Sequence, residues 1–194
     1  MNHPLQCRCG TLQGHVDLPS PANRVVCYCR DCQAFAIFLG RAAETLDPQG
    51  GSDVIQVLQA KLKFTRGMDS LACMRLSHTG LLRWYARCCN TPIGNTLADP
   101  RISFIGLLHD CLGEEPSLSA SFGPVSMRSF TGSAMAKVPS SKIGFLLGVR
   151  RIAAMVIRAR IDGSYRRSPL FDGTTRAPIV EPRILSLEER RKLS

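Results

Sequence analysis

Seven of the nine cysteines fall into three short clusters, and this grouping constrains the fold more than any other feature of the sequence. A metal ion needs several ligands at one point, and short spacings bring sulfurs to about 2.3 Å from a zinc ion with little ordering of the intervening chain. The alternative is that these cysteines pack in the core as small apolar side chains, but three cysteines within six residues make this a poor explanation. We therefore predict metal binding by the clusters, which are Cys7-x-Cys9, Cys27-x-Cys29-x-x-Cys32 and Cys88-Cys89.

The compartment predicted for these thiols depends on whether the sequence carries a secretory signal or a membrane span. The start, MNHPLQCRCG, lacks a basic segment followed by an apolar one, so we do not expect a secretory signal. No run of about 18 uncharged apolar residues occurs, so we expect neither a membrane span nor a membrane partner. We therefore predict a cytoplasmic protein, in which clustered cysteines serve as metal ligands or catalytic thiols. Cys73 and Cys111 stand alone in apolar segments and are predicted to lie in the core.

The net charge of +10 is concentrated in the second half of the chain. Residues 1–100 hold 10 Lys and Arg against 7 Asp and Glu, a charge of +3, whereas residues 101–194 hold 15 against 8, a charge of +7. A basic segment suits nucleic acid, but only 6% of the residues are aromatic and few of them stand among the arginines. We therefore do not expect nucleic acid as a partner, and the oligomeric state is left open.

Residues 1–115 have the pattern of a mainly β domain, with short apolar segments separated by Gly, Pro, Asp and Ser. An apolar segment at 32–39 suits the start of a short helix. The predicted strands include 11–16, 54–58, 61–64, 71–76 and 102–108.

Residues 116–194 are predicted to form a loop-rich connection, an amphipathic helix at about 141–160 and a basic tail. In the helix, apolar residues recur at steps of three and four while the arginines lie off that stripe. We expect the stripe to cover the strands; binding to a membrane surface is the alternative. A short charged helix is expected within LSLEERRKLS. The stripe consists of Phe145, Val149, Ile152, Val156 and Ala159.

Four segments, in this order, resemble the glutathione-dependent formaldehyde-activating (GFA) family: CRCG at 7–10, CYCRDCQ at 27–33, RWYARCCNTP at 83–92 and DPRISFIGLLHD at 99–110. The resemblance covers about residues 5–115. It implies a β-tent fold, in which small twisted antiparallel sheets surround zinc. It also implies two metal sites, a structural one and a catalytic one.

The implied catalytic site consists of Cys27, Cys29 and Cys32, which leave the fourth position of a tetrahedral zinc ion open. Zinc there would hold a substrate thiol as thiolate. The family reaction is the addition of glutathione to formaldehyde, which gives S-hydroxymethylglutathione, and the enzyme is a carbon–sulfur lyase. Arginines near the site would bind the glutathione carboxylates; solvated surface charge is the alternative for each. The candidates are Arg30, Arg83 and Arg87.

The implied structural site departs from the family pattern. Aligning TP at 91–92 puts Cys89 on the second cysteine of the family's CxxC motif and Ala86 on the first, so Cys7, Cys9 and Cys89 remain as ligands. Asn90 stands where glycine is expected and tolerates the same left-handed backbone. Cys88 is our leading candidate for the fourth ligand, which requires a tight turn because adjacent residues of an extended chain face opposite sides. A histidine or water is the other possibility.

Two functions therefore remain open. The first is a zinc-binding enzyme that handles a small-molecule thiol such as glutathione, with one to two zinc ions per chain. The second is a non-catalytic zinc module in which both clusters stabilise the fold and the basic half contacts an acidic partner or nucleic acid.

Overall fold

The structure, a computed structural model, describes residues 1–19 and 22–193. Within this part of the chain the strands are short, as expected for a sheet protein punctuated by turn residues. In chain order they are β1 (Asn2–Gln6), β2 (Gln13–Asp17), β3 (Asn23–Cys27), β4 (Ser52–Leu58), β5 (Leu62–Arg66), β6 (Leu71–Arg75), β7 (Leu82–Ala86), β8 (Thr91–Thr96), β9 (Phe104–Leu108), β10 (Met127–Ser129) and β11 (Arg183–Ile184).

The helices flank these strands, and within the described residues none is long and apolar enough to cross a membrane. The α-helices are α1 (Arg30–Phe38), α2 (Ala42–Thr45), α3 (Leu118–Phe122), α4 (Lys142–Ile161) and α5 (Leu187–Arg191). Short 3-10 helices lie at Gln59–Lys61, Met68–Ser70, His109–Cys111, Thr131–Ser133 and Ser164–Arg166.

The strands form two sheets, which confirms the prediction of a sheet-rich protein. The smaller sheet has the antiparallel order β1-β2-β5. The larger has the order β10-β3-β4-β9-β8-β7-β6-β11, antiparallel inside, with its two edge strands added in parallel. The predicted strands match β2, β4, β5, β6 and β9 to within two residues at each end.

The main core lies between the two sheets. Successive side chains of a strand point to opposite faces, so Ile55 of β4, Trp84 of β7 and Ile105 of β9 enter the core together with Leu5 and Val16 of the smaller sheet. The indole Nε1 of Trp84 donates a hydrogen bond to Thr96 Oγ1 at 3.0 Å, which satisfies its polar group inside this core.

The same alternation places a second set of side chains on the opposite face of the larger sheet. Val25 of β3 pairs with Val54 of β4, and Gln56 pairs with Gly106 of β9. Arg83 of β7 precedes the buried Trp84 by one residue and therefore points away from the core. Helix α4 packs over this face through contacts with β3, β4, β9 and β10, and a cavity lies there.

Helix α4 occupies the position predicted for a helix, but an amphipathic helix is not confirmed. Of the predicted stripe, Ala159 is buried and Ile152 and Val156 are half-buried, whereas Phe145 and Val149 remain 50% and 44% exposed. The physical reason is that the first half of α4 covers the cavity rather than a solid core. The outward face also carries large apolar side chains.

The segment predicted as a loop-rich connection contains α3 and β10. Strand β10 is only three residues long and pairs in parallel with β3, so it carries no periodic pattern that the sequence could reveal. Strand β11 likewise joins the far edge of the larger sheet. The division of the chain into domains 1–115 and 116–194 stays a prediction. The charged terminal helix is found as α5, which a capping box of Ser186 and Glu189 begins.

Candidate metal centres

Four cysteines meet at the end of β1 and in the turn after β7. Their sulfurs all lie within 4.8 Å of one another. In a tetrahedral zinc site with bonds of about 2.3 Å, sulfurs lie about 3.8 Å apart, so the cluster is positioned to bind a metal ion. The shortest Sγ–Sγ distances are 3.3 Å for Cys9–Cys88, 3.5 Å for Cys7–Cys9, 3.7 Å for Cys7–Cys88 and 3.8 Å for Cys88–Cys89.

The turn between β7 and β8 brings both adjacent cysteines into this cluster. Cys89 N–H donates to Ala86 O at 3.3 Å, and Asn90 has a φ of +54°. The left-handed conformation predicted for Asn90 is therefore confirmed, and the tight turn that Cys88 requires is present. Cys88, rather than a histidine, supplies the fourth potential ligand next to Cys7.

Hydrogen bonds from the backbone and from Thr91 hold the two turns against each other. Leu12 N–H donates to Cys7 Sγ at 3.2 Å. Arg8 N–H donates to Thr91 Oγ1 at 3.0 Å, and the same hydroxyl lies 3.1 Å from Cys89 Sγ. Because β1 belongs to the smaller sheet and β7 to the larger, a metal ion here would join the two sheets across 81 residues of chain.

The thiols of this cluster differ in their readiness to ionise. Hydrogen bonding with the side chain and backbone of Thr11 lowers the pKa of Cys9 to about 6. Desolvation, followed by hydrogen bonding with Cys9, raises the pKa of Cys88 to about 12, although most of this side chain stays exposed. Burial also raises the pKa of Cys7. Without a metal, neighbouring sulfurs thus share protons; a metal ion would take the place of those protons.

Three further cysteines meet where β3 passes into α1. Cys27 ends the strand, Cys29 is the N-cap of the helix, and Cys32 lies in the first helical turn, where its N–H donates to Cys29 Sγ at 3.4 Å. The Sγ atoms of Cys27 and Cys32 are 3.7 Å apart, and all three sulfurs lie within 4.8 Å of one another. The predicted triplet is therefore also positioned to bind a metal ion.

The loop that carries the triplet is fixed by partly buried hydrogen bonds. Gln33 Nε2 donates to the carbonyl oxygens of Tyr28 and Ser133, each at 3.0 Å. The hydroxyl of Tyr28 donates to Asp47 Oδ2 at 3.0 Å. These bonds hold the triplet against the segment that follows β10, so its geometry does not depend on a bound ion alone.

A buried arginine lies next to the triplet. The side chain of Arg83 is only 1% exposed; its Nη1 donates to Asn95 Oδ1 at 3.1 Å, and its guanidinium lies 5.3 Å from the centre of the Phe35 ring. Hydrogen bonding with Cys27 and Cys29, and then the charge of Arg83, hold the pKa of Cys32 well below its ordinary value.

The partner thiols of Cys32 are shifted the other way. Hydrogen bonding with Cys27 and Cys32 raises the pKa of Cys29. The pKa of Cys27 rises to about 11, because its hydrogen bond with Cys29, which lowers it, is outweighed by Cys32 and by burial. A metal ion at the triplet must therefore displace protons, and Arg83 would balance one negative charge of the resulting thiolates.

The triplet differs from the four-cysteine cluster in having no fourth ligand. In residues 1–19 and 22–193, no further Cys, His, Asp or Glu brings a ligand atom within 4.8 Å of all three sulfurs. A metal ion held by three protein ligands keeps a position for water or substrate, whereas four ligands close a site.

All three sulfur-bearing residues line the cavity beneath α4, which has a volume of about 650 Å³. Of the predicted arginines, Arg30 and Arg83 line this cavity, whereas Arg87 lies beside the four-cysteine turn and donates to Asp69 O. Sequence reasoning missed Asn95 and the lining residues of α4; alternation around Trp84 was the signal that could have assigned Arg83 to this face.

The two solitary cysteines are buried in the core, as predicted. Cys73 lies on β6 and Cys111 follows β9, and both belong to the cluster of apolar side chains between the sheets. Neither joins a group of potential ligands among the described residues.

Comparison with known proteins gives a family without a known activity. A family model described as "Family of unknown function (DUF6151)" matches residues 1–181. No curated protein matches the chain. Because the match covers nearly the whole sequence, the chain belongs to the DUF6151 family of unknown function.

Proposed function

We propose that the triplet of Cys27, Cys29 and Cys32 binds a catalytic metal ion and activates a small-molecule thiol for addition to an aldehyde. The observation that carries this proposal is the contrast between the two clusters. One has four sulfurs within reach of a single ion, and the other has three sulfurs that line a cavity. That contrast distinguishes structural from catalytic zinc sites in proteins.

Zinc is the ion we propose for both clusters. Thiolate ligands favour zinc over the harder divalent ions, and four sulfurs in a tetrahedral arrangement are typical of structural zinc. The resemblance to the GFA family supports the same assignment and the same reaction type. Two sheets joined at the four-cysteine cluster are also compatible with the β-tent fold that this resemblance implies.

When bound, the ion would lower the pKa of the substrate thiol and hold it as thiolate. The chain supplies the surroundings of that thiolate. The N-terminus of α1 and the guanidinium of Arg83 offset the negative charge of the sulfurs, and α4 limits access of water from one side. In the addition, a carbon–sulfur bond forms, the carbonyl π bond breaks, and the thiol proton ends on the carbonyl oxygen. Glutathione and formaldehyde are the reference substrates from the resemblance.

Cobalt in place of the native ion tests this proposal, because its absorption bands follow coordination geometry and sulfur count. We expect added thiol, with glutathione or 2-mercaptoethanol as the probe, to shift the bands of the triplet saturably, and more readily at neutral to alkaline pH, because thiol binding releases a proton. Cys29→Ser should abolish the shift. Serine is a good N-cap, so α1 and the fold should persist.

Cys73→Ala provides the matched control, since it removes a thiol from outside both clusters and should leave the response unchanged. Absence of any band shift at millimolar thiol, with three sulfurs shown to bind cobalt at the triplet, would contradict the proposal.

In the alternative function both metal ions are structural, and the basic half of the chain binds an acidic partner or nucleic acid. The exposed arginines of α4 favour it, among them Arg150, Arg151 and Arg158. It predicts a triplet closed by a further ligand and indifferent to thiols, so the cobalt experiment separates the two functions.

A further inference from the structure

Resting on the function proposed above, we infer that the thiol bound at the triplet has an apolar, uncharged body, and that the cavity beneath α4 holds this body. The tripeptide glutathione, with two carboxylates and an ammonium group, does not match the walls of the cavity. The apolar lining and the placement of the charges lead to this substrate class, and the volume is compatible with it.

The volume of about 650 Å³ lies within the range of small-molecule sites, which are about 300–1,000 Å³ and mostly apolar. The floor is the outer face of the larger sheet, and the roof is the first half of α4. Apolar side chains line both, among them Val25, Val54 and Phe104 from the floor and Phe145, Val149 and Ile152 from the roof.

Several polar side chains of the cavity wall already have hydrogen-bond partners, among them Gln56, whose partner Asn23 lies outside the wall. Asn23 Nδ2 donates to Gln56 Oε1 at 2.7 Å, and Arg83 donates to Asn95 Oδ1 at 3.1 Å. The rest of the wall that a ligand meets is mostly apolar. An apolar body would satisfy this wall, whereas a peptide body would leave its own amides unpaired at a cost.

The charged side chains of the cavity wall already have partners or lie at its rim before any ligand enters. Of the described residues, Arg30 and Arg83 bring the cations of the cavity wall and Asp31 brings its carboxylate. Asp31 Oδ1 lies 3.2 Å from the guanidinium of Arg190, and its Oδ2 lies 3.9 Å from that of Arg83. Arg83 faces the sulfurs, and Arg30 is exposed at the rim. Two carboxylates of one ligand therefore have no pair of buried cations to bind them.

The cavity explains why the first half of α4 has no buried apolar stripe. Phe145 and Val149 are half exposed because they face an open cavity; a ligand body in that cavity would contact them. The sulfurs of the triplet form part of the same wall. A thiol whose sulfur binds at the open position thus has its body against β3, β4 and α4.

A series of thiols with the cobalt-loaded protein tests the inference. Each methylene group moved from water into an apolar site strengthens binding about fourfold. We therefore expect 1-hexanethiol to bind roughly two hundredfold more tightly than ethanethiol, as measured by saturation of the band shift, and more tightly than glutathione.

Val149→Asp places a charge in the roof and should reduce the chain-length dependence to less than tenfold while the ethanethiol response persists. Ile157→Asp is the matched control, because this residue lies on the same helix, is 59% exposed and is not part of the cavity wall. It should leave the series unchanged.

Each possible negative result of the thiol series would overturn a different part of the account. Equal binding across the series, or tighter binding of glutathione, would overturn the apolar substrate class while leaving thiol activation intact. Chain-length dependence that survives Val149→Asp would overturn the placement in this cavity. No band shift with any thiol would overturn the proposed function and this inference with it.

Discussion

Cys88→Ser is expected to lower the melting temperature by about 10 °C, as much as Cys89→Ser does. Structural zinc contributes about 10–16 kcal/mol to small metal domains, so loss of one of four ligands removes about 3–4 kcal/mol, and each kcal/mol shifts the melting temperature of a chain this size by about 2–4 °C. Because Cys88 is exposed, the substitution leaves no cavity, and the effect reports metal ligation. Thermal unfolding with and without a chelator measures it.

Cys73→Ala is the control for this experiment, since it removes a buried thiol at the cost of a small cavity but leaves metal binding intact. A chelator should lower the melting temperature of this variant as much as that of the wild-type protein, and that of Cys88→Ser by less, because Cys88→Ser has already lost part of the contribution of the metal. A silent Cys88→Ser beside a misfolded Cys89→Ser would contradict our assignment of the fourth ligand.

Arg83→Met should weaken metal binding at the triplet about 10–100-fold, the usual effect of losing a group that supports metal ligands. Methionine keeps much of the buried volume but removes the charge beside Cys32 and the hydrogen bond to Asn95. The four-cysteine cluster lies at another turn and should keep its affinity. Competition with a chromophoric chelator would measure the metal affinities of the two clusters separately.

Two further variants make the Arg83 experiment specific. Arg30→Met removes an exposed arginine from the rim of the same cavity and should change the affinity less than threefold. Arg83→Lys keeps the charge but not the planar fork of donors, so an intermediate affinity is expected. Equal affinities of wild-type protein and Arg83→Met would contradict an electrostatic role for this side chain.

The two groups of cysteines that are positioned to bind metal could be predicted from the sequence because their spacing is local. Two sulfurs within a few residues share one turn wherever that turn lies in the fold. The inclusion of Cys88 depended on one backbone angle, and Asn90 was the residue that made the left-handed turn available.

The cavity could not be predicted in the same way. Its wall combines β3, β4 and β9 with α4, which follows β3 by more than 100 residues, and such distant pairing leaves no local pattern. The spacing of Phe145 and Val149 predicted a stripe that covers the strands, and both residues line the cavity. It could not reveal that this part of the helix covers a cavity instead of a packed core. Strand β10 escaped prediction because three residues are too few to show a period.

The most direct test of the central claim, that both cysteine clusters hold metal, is the metal content of protein purified without chelators, determined together with a thiol titration. We expect close to two zinc ions per chain, one for each cluster, with the clustered thiols unreactive until a chelator is added. Cys29→Ser should retain about one ion, at the four-cysteine cluster. A metal content near zero in folded protein, with the clustered thiols freely reactive, would contradict the account.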